Sequence, residues 1–122
     1  MLLSEVKAIL CATAATGESD EQLSQININT AFGSDLLSDV LAFVEDRTLL
    51  LTGLVNAQVV RTAEMMDIPA ICFVRGKDPT DEIIDLAREK GIVVLTTECL
   101  MYATCGKLYA NGLGVTDDAQ NV

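Results

Sequence analysis

The chain has 122 residues, no histidine, and eight Lys and Arg against eighteen Asp and Glu, which gives a net charge of −10. The length suits one domain, and Leu, Ile, Val and Phe make up nearly a third of the residues, above the roughly 20% that is typical of disordered chains. The negative charge argues against binding nucleic acid or anionic membrane surfaces. The lack of histidine removes the commonest neutral-pH acid/base group and every Ser-His or Cys-His dyad.

Four cysteines are predicted to be isolated thiols: Cys11, Cys72, Cys99 and Cys105. Their spacing fits neither a CxxC redox pair nor a zinc knuckle. Cys72 stands in an apolar run, where a free cysteine behaves as a small buried hydrophobe. Cys99 and Cys105 fall on one predicted helix but on different faces, which argues against a shared metal ion or a disulfide.

The start of the sequence and the free thiols indicate where the protein works. Glu5 and Lys7 carry charges where a signal peptide would have its apolar core. Free thiols are typical of a reducing compartment. Uncharged runs stay shorter than the roughly 18 apolar residues that span a bilayer. The sequence therefore predicts a soluble, cytoplasmic protein.

The first 46 residues predict two helices and two strands. Residues 4–10 have the pattern of a short helix, and residues 11–16 that of a strand, although alanine is a weak strand former. Residues 26–32 alternate apolar and polar side chains, as a half-buried strand does. Residues 33–35 then supply a turn and an N-cap for a helix whose apolar positions recur with a period of 3.6 over residues 36–44.

From about Leu49 onward, short apolar runs alternate with amphipathic stretches, which is the pattern of βαβ units and a parallel sheet. Residues 49–52 are predicted as a strand buried on both faces, followed by a tight turn at Gly53. Asn56 is a suitable N-cap for the next helix. Apolar side chains from Val59 to Met66 mark the face of that helix expected to be buried.

The next unit begins with a buried strand at residues 70–74. A helix is predicted to start with Asp78 as N-cap and Pro79 at its first position, because proline there loses no hydrogen bond. Its apolar residues at 83, 84, 86 and 87 form the expected core face. Gly91 is the expected stop, since glycine adopts the left-handed conformation that ends many helices.

The last unit consists of a strand at residues 92–95 and a helix that opens at residues 96–98 and runs through about Ala110. Met101, Cys105 and Leu108 are its expected buried residues. We predict a single three-layer α/β domain over residues 1–115, with a mostly parallel sheet of about four or five strands and helices on both faces. Residues 116–122 form a polar C-terminal tail.

Ligands of open α/β sheets bind at the carboxyl ends of the strands, where helix N-termini present unpaired N–H groups. Two loops here are placed to cradle a small anion. The candidate ligand-binding residues are Thr52, Gly53, Asn56, Arg75, Gly76 and Lys77. In the alternative interpretation, the glycines only serve turns, and Arg75 and Lys77 are solvated or paired with Asp78 and Asp81.

The sequence predicts no catalytic residue, metal site or cofactor. No stretch fits the P-loop pattern or the dinucleotide-binding pattern of glycines. Asp35 and Asp39 are four positions apart on a predicted helix, so they would share a face and could hold a cation. Alternatively, Asp35 and Ser34 only cap and solvate that helix.

Two stretches of the sequence, residues 30–42 and 49–53, resemble the DRTGG domain family, most specifically in the run S-D-L-L-S-D-V-L. The likeness continues through residues 67–70 and 89–97 and covers about residues 3–113. It implies a fold similar to the N-terminal domain of HPr kinase/phosphorylase, without that enzyme's catalytic half. Such domains occur joined to CBS domains in regulated pyrophosphatases and also alone, and the resemblance implies a regulatory or interaction module that is often dimeric.

The two candidate loops match the family pattern in part. Many members read T-G-D-R in the first loop and T-G-G in the second. Here the first loop reads Thr52-Gly53-Leu54-Val55 and the second reads Val74-Arg75-Gly76. Only Thr52, Gly53 and Gly76 carry over from the resemblance.

The favoured hypothesis is a stand-alone, non-enzymatic regulatory module that self-associates, as a homodimer, and binds a partner protein. A second hypothesis is a sensor in which the Thr52 and Arg75 loops hold a small anionic ligand or a nucleotide. A third hypothesis is an enzyme that acts on phosphoryl groups. The sequence shows no nucleophile-base pair or metal cluster that would support it.

Overall fold

A computed structural model describes residues 1–115, and the predicted polar tail at residues 116–122 lies outside the described residues. The described residues form six helices and five strands. In chain order these are α1 (Leu3–Leu10), β1 (Thr13–Ala14), α2 (Asp20–Leu23), β2 (Thr30–Gly33), α3 (Leu37–Phe43), β3 (Thr48–Thr52), α4 (Ala57–Met65), β4 (Ala70–Phe73), α5 (Asp81–Glu89), β5 (Val93–Thr96) and α6 (Met101–Ala110).

The strands form one mostly parallel sheet in the order β1-β5-β4-β3-β2. Strands β2 to β5 run parallel to their neighbours, with Leu50 opposite Ile71 in the middle of the sheet. The short β1 pairs with β5 in the antiparallel direction, with Thr13 opposite Thr96. The predicted α/β class and strand number are confirmed, while the strand predicted at residues 11–16 covers only two residues.

The central strands separate two apolar cores, because side chains alternate between the faces of a sheet. Leu49 and Leu51 of β3 pack into the core that includes α1 and α6. Leu50, between them, packs into the core that includes α3, α4 and α5. The molecule therefore has three layers, with helices on both faces, as the sequence predicts.

The segment around β2 and α3 differs from the prediction. Of the predicted strand 26–32, only residues 30–32 pair with β3, and the observed strand extends one residue further, to Gly33. The N-cap of α3 is Leu36, which makes no side-chain cap hydrogen bond, so neither Ser34 nor Asp35 caps the helix. Val40 is fully buried, but Leu41 and Phe43 keep 47% and 66% of their surface exposed.

The start of α5 is two residues later than predicted. Thr80 is the N-cap, and its hydroxyl accepts a hydrogen bond from the N–H of Ile83 at 3.3 Å. Asp78 and Pro79 therefore belong to the preceding loop. The predicted stop is present, since Gly91 follows Lys90 with a φ of 69°.

The start of α6 is also later than predicted, because Thr96 is the last residue of β5. Cys99 lies in the loop before the helix, so the prediction that it shares a helix with Cys105 is wrong. Of the residues expected to be buried on α6, Leu108 is buried, while Met101 and Cys105 are only partly buried.

Two helix starts depend on local caps. Asn56 caps α4, as predicted, and its Oδ1 accepts the N–H of Val59 at 3.1 Å. Helix α2 has no counterpart in the prediction, although Ser19 and Gln22 form a reciprocal capping box at its start. Among the helices of residues 1–115, none is long and apolar enough to cross a membrane.

Candidate functional site

Four loops follow the four parallel strands at the carboxyl edge of the sheet. They contain Asp35 after β2, Gly53 after β3, Arg75 after β4 and Cys99 after β5. Because the strands are neighbours in the sheet, the loops lie side by side, as the sequence argument requires for a ligand site.

Asp35 joins the first two of these loops. Its Oδ1 accepts a hydrogen bond from the Thr52 hydroxyl at 3.0 Å and another from the Gly53 N–H at 2.7 Å. Thr52 is fully buried, and its Oγ1 also accepts the N–H of Leu54 at 3.1 Å. The prediction that Asp35 and Asp39 share a helix face is therefore wrong, because Asp35 lies outside α3 and faces the β3 loop.

Arg75 brings the third loop against the second. Its Nη2 lies 3.5 Å from the Gly53 carbonyl oxygen and 3.9 Å from Asp35 Oδ2. A Cβ built on Gly53 would meet the guanidinium, with Cζ only 2.8 Å away. Gly53 thus provides space for Arg75. The alternative pairing of Arg75 with Asp78 or Asp81 is not what the described residues show, because its acidic neighbour is Asp35.

The backbone of the β4 loop is held by the β5 loop. The N–H of Arg75 donates to the Cys99 carbonyl at 2.8 Å, and the N–H of Gly76 donates to the Thr97 carbonyl at 2.9 Å. Both residues have left-handed backbones, with φ of 65° and 67°. A Cβ on Gly76 would lie 2.5 Å from Glu98 Oε2. Both N–H groups already donate hydrogen bonds to the β5 loop. A ligand at the β4 loop would therefore contact its side chains and not these two amides.

The six predicted site residues therefore have different surroundings. Thr52, Gly53 and Arg75 are brought together by Asp35, which the sequence analysis did not place in the site. Asn56 uses its side chain to cap α4. Gly76 is enclosed by the β5 loop, and Lys77 is exposed at the next position. The candidate site is thus centred on a carboxylate and a guanidinium around one glycine.

Cys99 is a second chemical feature that sequence reasoning missed. Its Sγ accepts a hydrogen bond from the Lys107 ammonium at 3.2 Å, and its N–H donates to Thr97 Oγ1 at 3.3 Å. Hydrogen bonding with the Thr97 side chain and with Lys107 lowers the pKa of Cys99 below its usual value. By contrast, burial raises the pKa of Cys72 to about 12, and the prediction of a buried thiol there is confirmed.

Comparison with known proteins concerns the fold. No family model and no curated protein matches the sequence. Among solved structures, the chain is similar to the CBS and DRTGG domains of the regulatory region of Clostridium perfringens pyrophosphatase, complexed with its activator diadenosine tetraphosphate. The identity is 17% and the TM-score 0.67, over 96% of this chain and 51% of the other. The chain thus spans about half the length of that structure, and it has a DRTGG-like fold.

Proposed function

We propose that the chain is a non-enzymatic regulatory module of DRTGG type that self-associates and binds a partner protein. The similar structure is a regulatory region, which supports a regulatory role. In this proposal the protein is cytoplasmic, and its fold is similar to that of the N-terminal domain of HPr kinase/phosphorylase. Residues 1–115 are proposed to form one domain.

The observation that carries the proposal is the exposed apolar surface of α3. Leu36 and Phe43 have 57% and 66% of their surface exposed. Leu36 is the N-cap and Phe43 the last residue of α3, so exposed apolar side chains stand at both ends of this short helix. Leu41 adds a third exposed apolar side chain. α3 directly follows β2, which is an edge strand of the sheet, and edge strands and exposed apolar patches both favour association.

Light scattering after size-exclusion chromatography tests self-association through α3. We expect the wild-type chain to elute at twice its chain mass, and the double variant Leu36→Glu/Phe43→Glu to elute at the mass of one chain. Leu100→Glu is the matched control, because Leu100 is 63% exposed but caps α6 on the other face of the sheet. Circular dichroism checks that the variants fold. A wild-type chain that stays monomeric at every concentration would contradict the proposal.

A second candidate function is a sensor for a small anion or a nucleotide at the carboxyl edge of the sheet. It is favoured by the Arg75 guanidinium, which lies against Gly53 and is partly exposed. Asp35 occupies the Gly53 amide, so an anion must displace this carboxylate in order to bind there.

Thermal unfolding with adenine and guanine nucleotides, phosphate and acetyl phosphate tests the sensor. A compound that binds the site should raise the melting temperature of the wild type, and raise it further in Asp35→Asn, which removes the competing charge. The shift should vanish in Arg75→Glu and persist in the control Arg61→Glu, which changes an exposed arginine on α4. An undiminished shift in Arg75→Glu would exclude this site.

A further inference from the structure

A groove of about 730 Å³ lies between the edge strand β2 and helix α6, on the face of the sheet opposite α3. Its lining includes Ala31, Gly33, Leu51, Leu108 and Leu113. None of the loop residues around Arg75 and Asp35 lines it. The groove is therefore distinct from the cluster of Asp35, Gly53 and Arg75 and from the α3 surface.

Two tyrosine side chains on α6 border the groove. Tyr102 is 92% exposed and Tyr109 is 57% exposed. The two are seven residues apart, about two helical turns, so their rings project from the same side of the helix. Gly106 lies between them, and a Cβ there would meet no atom of the described residues within 4 Å apart from its chain neighbours and the nearby backbone of its own helix. The helix thus presents two exposed tyrosine side chains, with free space at Gly106 between them.

The charge around the groove differs from that of the molecule. The chain has a net charge of −10, yet residues 99–115 contain no Asp or Glu and one Lys. That residue, Lys107, lines the groove, with its ammonium 3.2 Å from Cys99 Sγ. Lys107 is the one charged side chain among the described residues that line the groove, so the groove favours an anion more than the acidic protein as a whole does.

We propose that this groove binds a small organic anion with a flat aromatic ring. The ring packs between Tyr102 and Tyr109, over the apolar floor, and the anionic group pairs with Lys107. The volume falls within the roughly 300 to 1,000 Å³ that is usual for small-molecule sites, which are mostly apolar with a few polar groups. Stacking on exposed aromatic rings supplies the affinity for the ring. The site does not depend on self-association, because the α3 surface lies on the other face of the sheet.

A pair of fluorescent probes tests both parts of the site. Anilinonaphthalene sulfonate carries a flat aromatic system and a sulfonate, whereas N-phenylnaphthylamine has the same rings without the charge. We expect saturable binding of one molecule of each probe per chain. Gly106→Leu fills the gap and should weaken both probes about tenfold or more, the equivalent of one well-placed apolar side chain. Lys107→Gln should weaken only the sulfonate, by about fivefold.

The control for Gly106→Leu is Ala110→Leu, which adds the same side chain to an exposed position of the same helix outside the groove. Gly106→Leu raises the helix propensity and Ala110→Leu lowers it only slightly, so the fold is expected to survive both changes. Unchanged sulfonate binding in Gly106→Leu would overturn the site. Equal weakening of the two probes in Lys107→Gln would overturn the role of the anionic group. A Gly106→Leu variant that turns monomeric would assign the groove to a second copy of the chain and overturn the ligand.

Discussion

Asp35 occupies the position that the proposed sensor assigns to an external anion. Its carboxylate accepts from the Thr52 hydroxyl and the Gly53 amide, and Arg75 lies nearby. In the T-G-D-R pattern of the DRTGG family, which this loop resembles, an acidic and a basic residue follow the glycine that corresponds to Gly53. Here the acid comes from the β2 loop and the base from the β4 loop, so three loops share one small cluster of charges.

Replacing Asp35 with asparagine should destabilise the protein modestly. The change removes the ion pair with Arg75 and weakens two hydrogen bonds to a charged acceptor, but the side chain is 54% exposed, so water compensates in part. We expect the free energy of unfolding to fall by about 1 kcal/mol in urea denaturation. Asp39→Asn is the matched control, with an expected change under about 0.5 kcal/mol. Equal effects of the two changes would contradict the role of Asp35.

The reactivity of Cys99 should depend on Lys107. The lowered pKa of Cys99 means that its thiolate forms at a lower pH than that of an ordinary cysteine. Lys107→Gln removes one of the groups that stabilise the thiolate, so the pH at which alkylation by iodoacetamide accelerates should rise. Peptide mapping by mass spectrometry separates Cys99 from the exposed Cys11. Lys90→Gln, which changes a lysine paired with Glu64, should leave the profile of Cys99 unchanged.

At the scale of elements, the start of α5 allows a test of two candidate N-cap residues, Asp78 and Thr80. Thr80→Ala should lower the free energy of unfolding by about 1 kcal/mol, because the N–H of Ile83 loses its acceptor. Asp78→Ala should change it by less than about 0.5 kcal/mol, since Asp78 lies outside the helix. Thermal or urea unfolding measures both. The reverse order would mean that the helix starts at Asp78.

The elements that the sequence predicts well have strong local signals. The apolar runs of β3 and β4 and the cap at Asn56 are each encoded within a few residues. The start of α5 was misplaced because Thr80 is as suitable an N-cap residue as Asp78, and it is the Thr80 hydroxyl that accepts the N–H of Ile83. The pattern of α3 shows which residues are apolar but not which of them other elements cover. The exposure of Leu41 therefore could not be predicted from it.

The sequence predicts the candidate site only as far as it predicts which strands are neighbours in the sheet. Parallel strands bring Gly53 and Arg75 to one edge, and this follows from the βαβ pattern. Asp35 was missed because Ser34 and Asp35 precede an apolar helix and therefore resemble an ordinary cap. Its contact with Thr52 requires that β2 pair with β3, and the local sequence does not encode that pairing.

At the scale of the whole molecule, net charge opposes self-association. Each copy carries a net charge of −10, so two copies repel one another at low salt. The screening length falls from about 30 Å at 0.01 M salt to about 8 Å at 0.15 M. We therefore expect the dissociation constant of the proposed self-association, measured by sedimentation velocity, to fall as sodium chloride is raised over this range. A dissociation constant that rises with salt would indicate an interface held by opposite charges.

The pairing of β1 with β5 sets an order for folding during synthesis. Thr13 lies opposite Thr96, the N–H of Val94 donates to Thr16 Oγ1, and the hydroxyl of Thr97 donates to the Leu10 carbonyl. These partners are more than 70 residues apart, so the first strand emerges from the ribosome long before its neighbour exists. Strands β2 to β4 can pair earlier, since each follows its neighbour closely. Among the five strands of the described residues, we therefore expect β1 to pair last during synthesis.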